Sequence, residues 1–132
     1  DNLSLQTIKY YFKFSQMIIE ANELNWSEFE KIDMRVGTII SVSDFPEARK
    51  PAFQLTIDFG IDLGIKKSSA QITKCYKKEN LVGKQIIAVI NFPKKQIGKF
   101  WSECLVLGVI GADNDIVLLS TDQKVLNGLK IG

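Results

Sequence analysis

The residues best suited to chemistry in this chain lie in one stretch, Asn91 to Cys104, where Lys94, Lys95 and Lys99 stand among Phe92, Phe100 and Trp101. Amines beside flat apolar rings can neutralise phosphates and stack on bases, or line pockets for alternate side chains of an extended peptide. They assemble neither a nucleophile nor a proton relay. The chain contains no His, which removes the commonest general base, the Ser-His and Cys-His pairs and the commonest metal ligand together. Cys75 and Cys104 form no Cys-x-x-Cys pair, so neither a zinc knuckle nor a thioredoxin-like site is expected, and two free thiols in a reducing cytoplasm fit better than a disulfide. The expectation is a cytoplasmic binding protein with no cofactor, not an enzyme. The alternative for the stretch is a solvated loop whose Phe and Trp turn inward as ordinary core.

Charge agrees with a local rather than a global binding surface. Seventeen Lys and Arg against fifteen Asp and Glu leave a formal net charge of +2, too little to argue for a polyanion by itself. The cations are clustered at Arg49-Lys50, Lys66-Lys67, Lys74 to Lys78 and Lys94 to Lys99, whereas the acids are spread singly. At 132 residues, 45% hydrophobic and 24% charged, the chain has the size and composition of one water-soluble domain. Lys9 and Lys13 interrupt the amino-terminal apolar stretch, and no run approaches a membrane helix, so no membrane insertion is expected.

The elements that must position these residues follow from periodicity. Leu5, Ile8, Phe12, Ser15 and Ile19, with Tyr11, Phe14 and Ile18, recur at spacings of three and four, which predicts a helix over about Leu3 to Leu24 capped by Asn2 or Ser4. Packing on the domain or pairing with a second subunit ranks ahead of an origin outside the natural chain. Ser27 to Glu30 reads as a short capped turn. From Ile32 the period becomes two, with Met34, Val36, Thr38, Ile40 and Val42 on one face and Gly37 marking a bulge or sharp coil. Phe53, Leu55, Ile57 and Phe59 form the second strand, with Phe53 in the core, and Ile65 to Ile72 the third. A short helix from Thr73 to about Lys78 precedes a fourth strand, Gln85 to Phe92. Cys104 to Ile110 is the fifth strand, and Gly111 to Asp115 turns into a last one, Ile116 to Ser120.

This order of strands and connector is that of an OB-fold, whose binding loops join strands one and two and strands four and five. They correspond here to Phe45 to Phe53 and Phe92 to Trp101. The predicted architecture is mainly β: a five-stranded OB-fold barrel with an amino-terminal helix and a short helical connector. Residues 1–26 form the helical extension and 27–132 the barrel domain.

Glu30-Lys31-Ile32-Asp33-Met34-Arg35-Val36-Gly37, Phe45-Pro46-Glu47-Ala48-Arg49, Ile65 to Ile72, Val89-Ile90-Asn91-Phe92-Pro93, Ser102 to Gly108 and the terminal Asn127 to Gly132 resemble, in order and spacing, the CsaA family. The resemblance implies the tRNA-binding-domain version of the OB-fold and a homodimer. It also implies a groove for unfolded or preprotein segments, contact with the SecA export machinery, and kinship with tRNA-binding modules of methionyl-tRNA synthetase. It places Lys66, Ser68, Ser69 and Gln71 at the binding face, where the alternative is an edge strand kept polar against further pairing. Asn91, Lys94, Lys95, Lys99, Phe100 and Ser102 complete the candidate peptide- or RNA-binding set, with Glu103 as an organiser of the loop. Asn91 has a turn-forming alternative, and the lysines one of solubility alone. Where the family pattern has two adjacent cations before Ile97, this chain has Lys95-Gln96, which shifts the weight from tRNA toward polypeptide. The helix before Asn25 has no counterpart in that pattern.

Overall fold

The computed structural model describes residues 4–132, with the side chains of Glu20 and Ala21 excepted. Asn2 and Leu3, expected as a cap and the start of the first helix, lie outside the described residues. The chain divides into two compact units, Asp1–Lys31 and Ile32–Gly132. The first contains α1 (Leu5–Asn22) and α2 (Trp26–Glu30). Ser4 starts α1, its hydroxyl accepting the Thr7 N–H at 3.1 Å. Asn25 caps α2 reciprocally, its Oδ1 accepting the Glu28 N–H at 2.9 Å while its Nδ2 donates to Glu28 Oε1 at 2.7 Å. No described helix is long and apolar enough to cross a membrane.

The second unit is built on a five-stranded antiparallel sheet, nearly closed into a barrel. In it, β1 (Met34–Asp44), β2 (Phe53–Asp58), β3 (Ile65–Ala70), β4 (Gln85–Val89) and β7 (Leu105–Val106) lie in the order β3-β2-β1-β4-β7. Two small hairpins complete it, β5 (Lys95–Ile97) with β6 (Phe100–Ser102), and β8 (Gly108–Ile110) with β9 (Ile116–Leu118). Alternation explains the core. Phe53, Leu55 and Ile57 point inward from β2 to meet Ile39, Ile86 and Ala88, and full burial of such side chains contributes about 1.5–3 kcal/mol each.

Four expectations need correction. The bulge in β1 lies at Ile40 rather than Gly37: Ile39 pairs with Ile57 and Ser41 with Thr56, so the extra residue moves the inward face from Ile39 to Val42 and leaves Ile40 exposed. Gly37 supplies space instead, since a Cβ there would lie 2.6 Å from Ile57 Cγ2 and 2.8 Å from the Phe59 ring. The helical connector is α3 (Lys78–Leu81), later than expected, because it is the fully buried Leu81 that anchors it to the core. The fifth strand is broken at Leu107, whose N–H donates to Ile87 of the barrel while its carbonyl accepts the Leu119 N–H beside β9. The Asn91 to Cys104 connection is itself a hairpin, not an open loop.

The carboxyl-terminal segment clips onto β1. Val36 N–H donates to the Leu129 carbonyl at 3.0 Å, Gly128 N–H to Val36 at 2.7 Å and Ile131 N–H to Met34 at 2.9 Å. Arg35 ties the same segment, with Nη1 donating to the Gly128 carbonyl at 3.0 Å and Nε to Asp33 Oδ1 at 2.6 Å.

Candidate functional site

The hairpin β5–β6 turns at Gly98-Lys99. Gly98 has φ 61, and Lys99 keeps a negative φ, which fits the type II′ turn that carries Gly at its first central position. Ile97 lies opposite Phe100, Gln96 opposite Trp101 and Lys95 opposite Ser102. One step further, Lys94 Nζ lies 3.4 Å from Glu103 Oε2. Two depressions lie beside the hairpin, and Lys94 lines both. One, of about 500 Å³, is lined by Lys67, Lys94, Lys99, Phe100, Trp101 and Glu103. The other, of about 640 Å³, is lined by Phe92, Pro93, Lys94, Lys95, Gln96, Ser102, Cys104 and Leu105. The first is basic and aromatic; the second is apolar with a cationic rim.

A polar seam holds the hairpin against the barrel. Glu103 N–H donates to the Lys67 carbonyl at 2.7 Å, and Lys67 N–H returns to Glu103 Oε1 at 3.0 Å. Ser69 N–H donates to Ser102 Oγ at 3.1 Å, and the Ser68 hydroxyl to the Cys104 carbonyl at 2.9 Å. This seam completes the barrel between β3 and the chain leading out of β6. Across the hairpin, Phe45 from the β1–β2 connection packs on Phe100 with ring centroids 5.2 Å apart, so the two expected binding loops meet. Phe45 is buried, while Phe92 is 56% exposed and Trp101 48%.

The candidate residues fall into separate groups. Lys94, Lys99 and Phe100 line the basic depression, and Lys94, Lys95 and Ser102 the apolar one. Ser68 has no accessible surface and Ser69 is half-buried, both in the seam. Asn91 is exposed, its Oδ1 accepting the Asp33 N–H at 3.0 Å across the start of β1. Gln71 lines a different trough with Lys50 and Leu107, and Lys66 is half-buried on β3. Glu103 organises the hairpin as its position among lysines suggests. Sequence reasoning does not single out Leu105 and does not choose Lys67 over Lys66. The alternation of Ser68, Ala70 and Ile72 inward was the available signal, because it turns Lys67 and Ser69 outward. Among the described residues no group of three or more His, Cys, Asp or Glu could hold a metal ion.

Burial pushes the Cys104 thiol from its ordinary 9.0 up to about 12, against the weaker opposing pull of the Ser68 hydrogen bond and the Lys66 charge. Cys104 therefore remains a neutral, packed thiol, whereas Cys75 is exposed. A maleimide reagent at mildly alkaline pH is expected to add once, at Cys75, by peptide mass mapping. Since the folded value lies above the unfolded one, the stability tied to Cys104 is whole below pH 9 and declines as pH rises toward about 12. Unfolding midpoints measured across that range check the sign.

Residues 34–130 match the model of the tRNA binding domain family. The CsaA chaperone of Bacillus anthracis is 49% identical, covering 83% of this chain and 99% of that one with a TM-score of 0.79. The CsaA chaperone of Picrophilus torridus is 54% identical over 83% and 100%, with a TM-score of 0.78. Similarity also extends to methionine–tRNA ligases: that of Methanocaldococcus jannaschii is 30% identical over 111 residues, and that of Nanoarchaeum equitans 35% over 112. This chain spans only 16% and 13% of those two ligases. With near-complete coverage of two CsaA proteins at about half identity, the chain belongs to the CsaA family, within the tRNA binding domain family.

Proposed function

We propose that this protein is a CsaA-like chaperone that holds unfolded or preprotein segments in connection with protein export. It acts as a cytoplasmic homodimer, with SecA as the export partner that the family resemblance implies. The observation that carries the reading is the apolar depression beside the hairpin, where Phe92 and the 47% exposed Leu105 present rings and methyl groups to water under the Lys95 ammonium. Burying such surface against a client's apolar side chains is favourable and almost independent of salt. The homodimer is supported by the outer face of β8–β9, where Val109 stands opposite Val117 with both about half exposed and Ile110 beside them.

The second reading, a tRNA-binding module, is favoured by the other depression, which Lys67, Lys94 and Lys99 line together with the exposed Trp101. The two readings differ in their response to salt. Contact with about three phosphates weakens tenfold or more between low and physiological salt. Fluorescence anisotropy with a labelled preprotein-like peptide and with labelled tRNA is expected to show the peptide signal nearly unchanged over that range and the tRNA signal collapsing. Loss of the peptide signal with salt would overturn the chaperone reading. Light scattering is expected to report twice the chain mass; a single chain mass at micromolar concentrations would overturn the homodimer.

A further inference from the structure

The hairpin β5–β6 leaves one strand edge open, and this edge runs beside the apolar depression. Among the described residues strand β5 has β6 as its only sheet partner, while the chain on the other side of the hairpin is held to β3 through the seam at Ser102 and Glu103. In a hairpin closed by a two-residue turn, the pair flanking the turn exchanges hydrogen bonds and the next pair does not. Ile97 and Phe100 are that flanking pair, so the N–H and C=O of Gln96 face away from β6. Gln96 is exposed, and it also borders the depression formed by Phe92, Pro93 and Leu105.

We propose that the outer edge of β5 receives an extended polypeptide as an added β-strand, pairing with the Gln96 backbone and placing an apolar side chain over Phe92 and Leu105. This deepens the chaperone reading and rests on it. Main-chain pairing is indifferent to sequence, which suits a surface that must accept unrelated unfolded segments, while the depression selects for an apolar residue at alternate positions. Charge adds a preference. Lys94 precedes the edge and Lys95 lies on it, with Lys94 facing Glu103 at 3.4 Å, so acidic residues flanking the apolar ones are favoured. The shortness of β5, three residues, limits the contact to one pair of backbone hydrogen bonds, and Lys95 on the strand discourages indefinite edge-to-edge growth. The hold is therefore shallow and reversible. Gln96 stands where the family pattern has a second cation, and its replacement of that charge removes a like-charge neighbour from the edge.

The test uses the full chain and a soluble peptide of alternating Val and Thr with Glu at both ends. Its counterpart carries the same side chains but has alternate backbone amides N-methylated on the pairing edge. Affinity is expected to fall about tenfold on N-methylation, the effect of losing a hydrogen-bonded pair. The Gln96 amide, read by NMR hydrogen exchange, is expected to slow at least tenfold only with the unmethylated peptide. Equal affinity of the two peptides, or peptide binding that leaves Gln96 exchange unchanged, overturns strand addition and leaves the chaperone reading standing. Failure of both peptides to bind overturns both readings. Protection of Gln96 by tRNA and not by peptide overturns the proposal in favour of a nucleic-acid ligand.

Discussion

Gly128→Ala is expected to lower unfolding stability by about 2–4 kcal/mol, the largest effect foreseen for a one-carbon change. Gly128 has φ 91, a conformation that costs an L-residue about 1–2 kcal/mol, and its added Cβ would lie 2.5 Å from the Phe59 carbonyl oxygen. That neighbour is backbone in the core and cannot rotate away, so relief requires displacement of the terminal segment itself. The displacement would strip the bonds that Gly128, Leu129 and Ile131 make with Val36 and Met34, together with the Arg35 bond to the Gly128 carbonyl. Denaturant melts of both proteins check this. A loss below about 1 kcal/mol would show that the segment relaxes without cost and that its close approach to Phe59 is incidental.

Substitutions in the two depressions beside the β5–β6 hairpin are expected to separate the two ligands. Phe92 is 56% exposed, so Phe92→Ala removes surface that a client would bury while costing the free protein little. Recovering that exposed part of a Phe is worth about 1.5 kcal/mol, or roughly tenfold in peptide affinity. Its effect on tRNA is expected to be small. The reverse holds for Lys67→Gln with Lys99→Gln, which removes two cations found in the basic depression and not in the apolar one. Affinity for tRNA should fall, with its logarithmic salt slope shallower by about 1.5, while peptide affinity changes less than threefold.

The long strands were legible because their environment is one-sided. Phe53, Leu55 and Ile57 alternate with Gln54 and Thr56, and the barrel buries one set and wets the other. The bulge at Ile40 was not legible, because Ile39, Ile40 and Val42 are all apolar and only the register with β2 shows which of them is displaced. The hairpin was hidden for another reason. Its strands are three residues long, too short for a period, and Lys95-Gln96-Ile97 carries no strand composition. Its stability comes from tertiary bonds, those of Lys67, Ser69, Ser102 and Glu103, that no local window contains. Ser68 illustrates the limit for a site residue: a serine reads as polar and available, yet here it is fully buried with its hydroxyl on the Cys104 carbonyl. The lysines and rings of the hairpin could be picked out from their types and crowding. Their distribution between two depressions required the folded hairpin.

The claim that polypeptide binds on the apolar face of this hairpin is tested most directly by one titration. Anisotropy of a labelled unfolded-client peptide, at physiological salt, would compare the wild type with Phe92→Ala and with the Lys67→Gln, Lys99→Gln double variant. The account predicts about tenfold weaker binding for Phe92→Ala and near-wild-type binding for the double variant. Wild-type affinity in Phe92→Ala, with the loss appearing in the lysine variant instead, would contradict it.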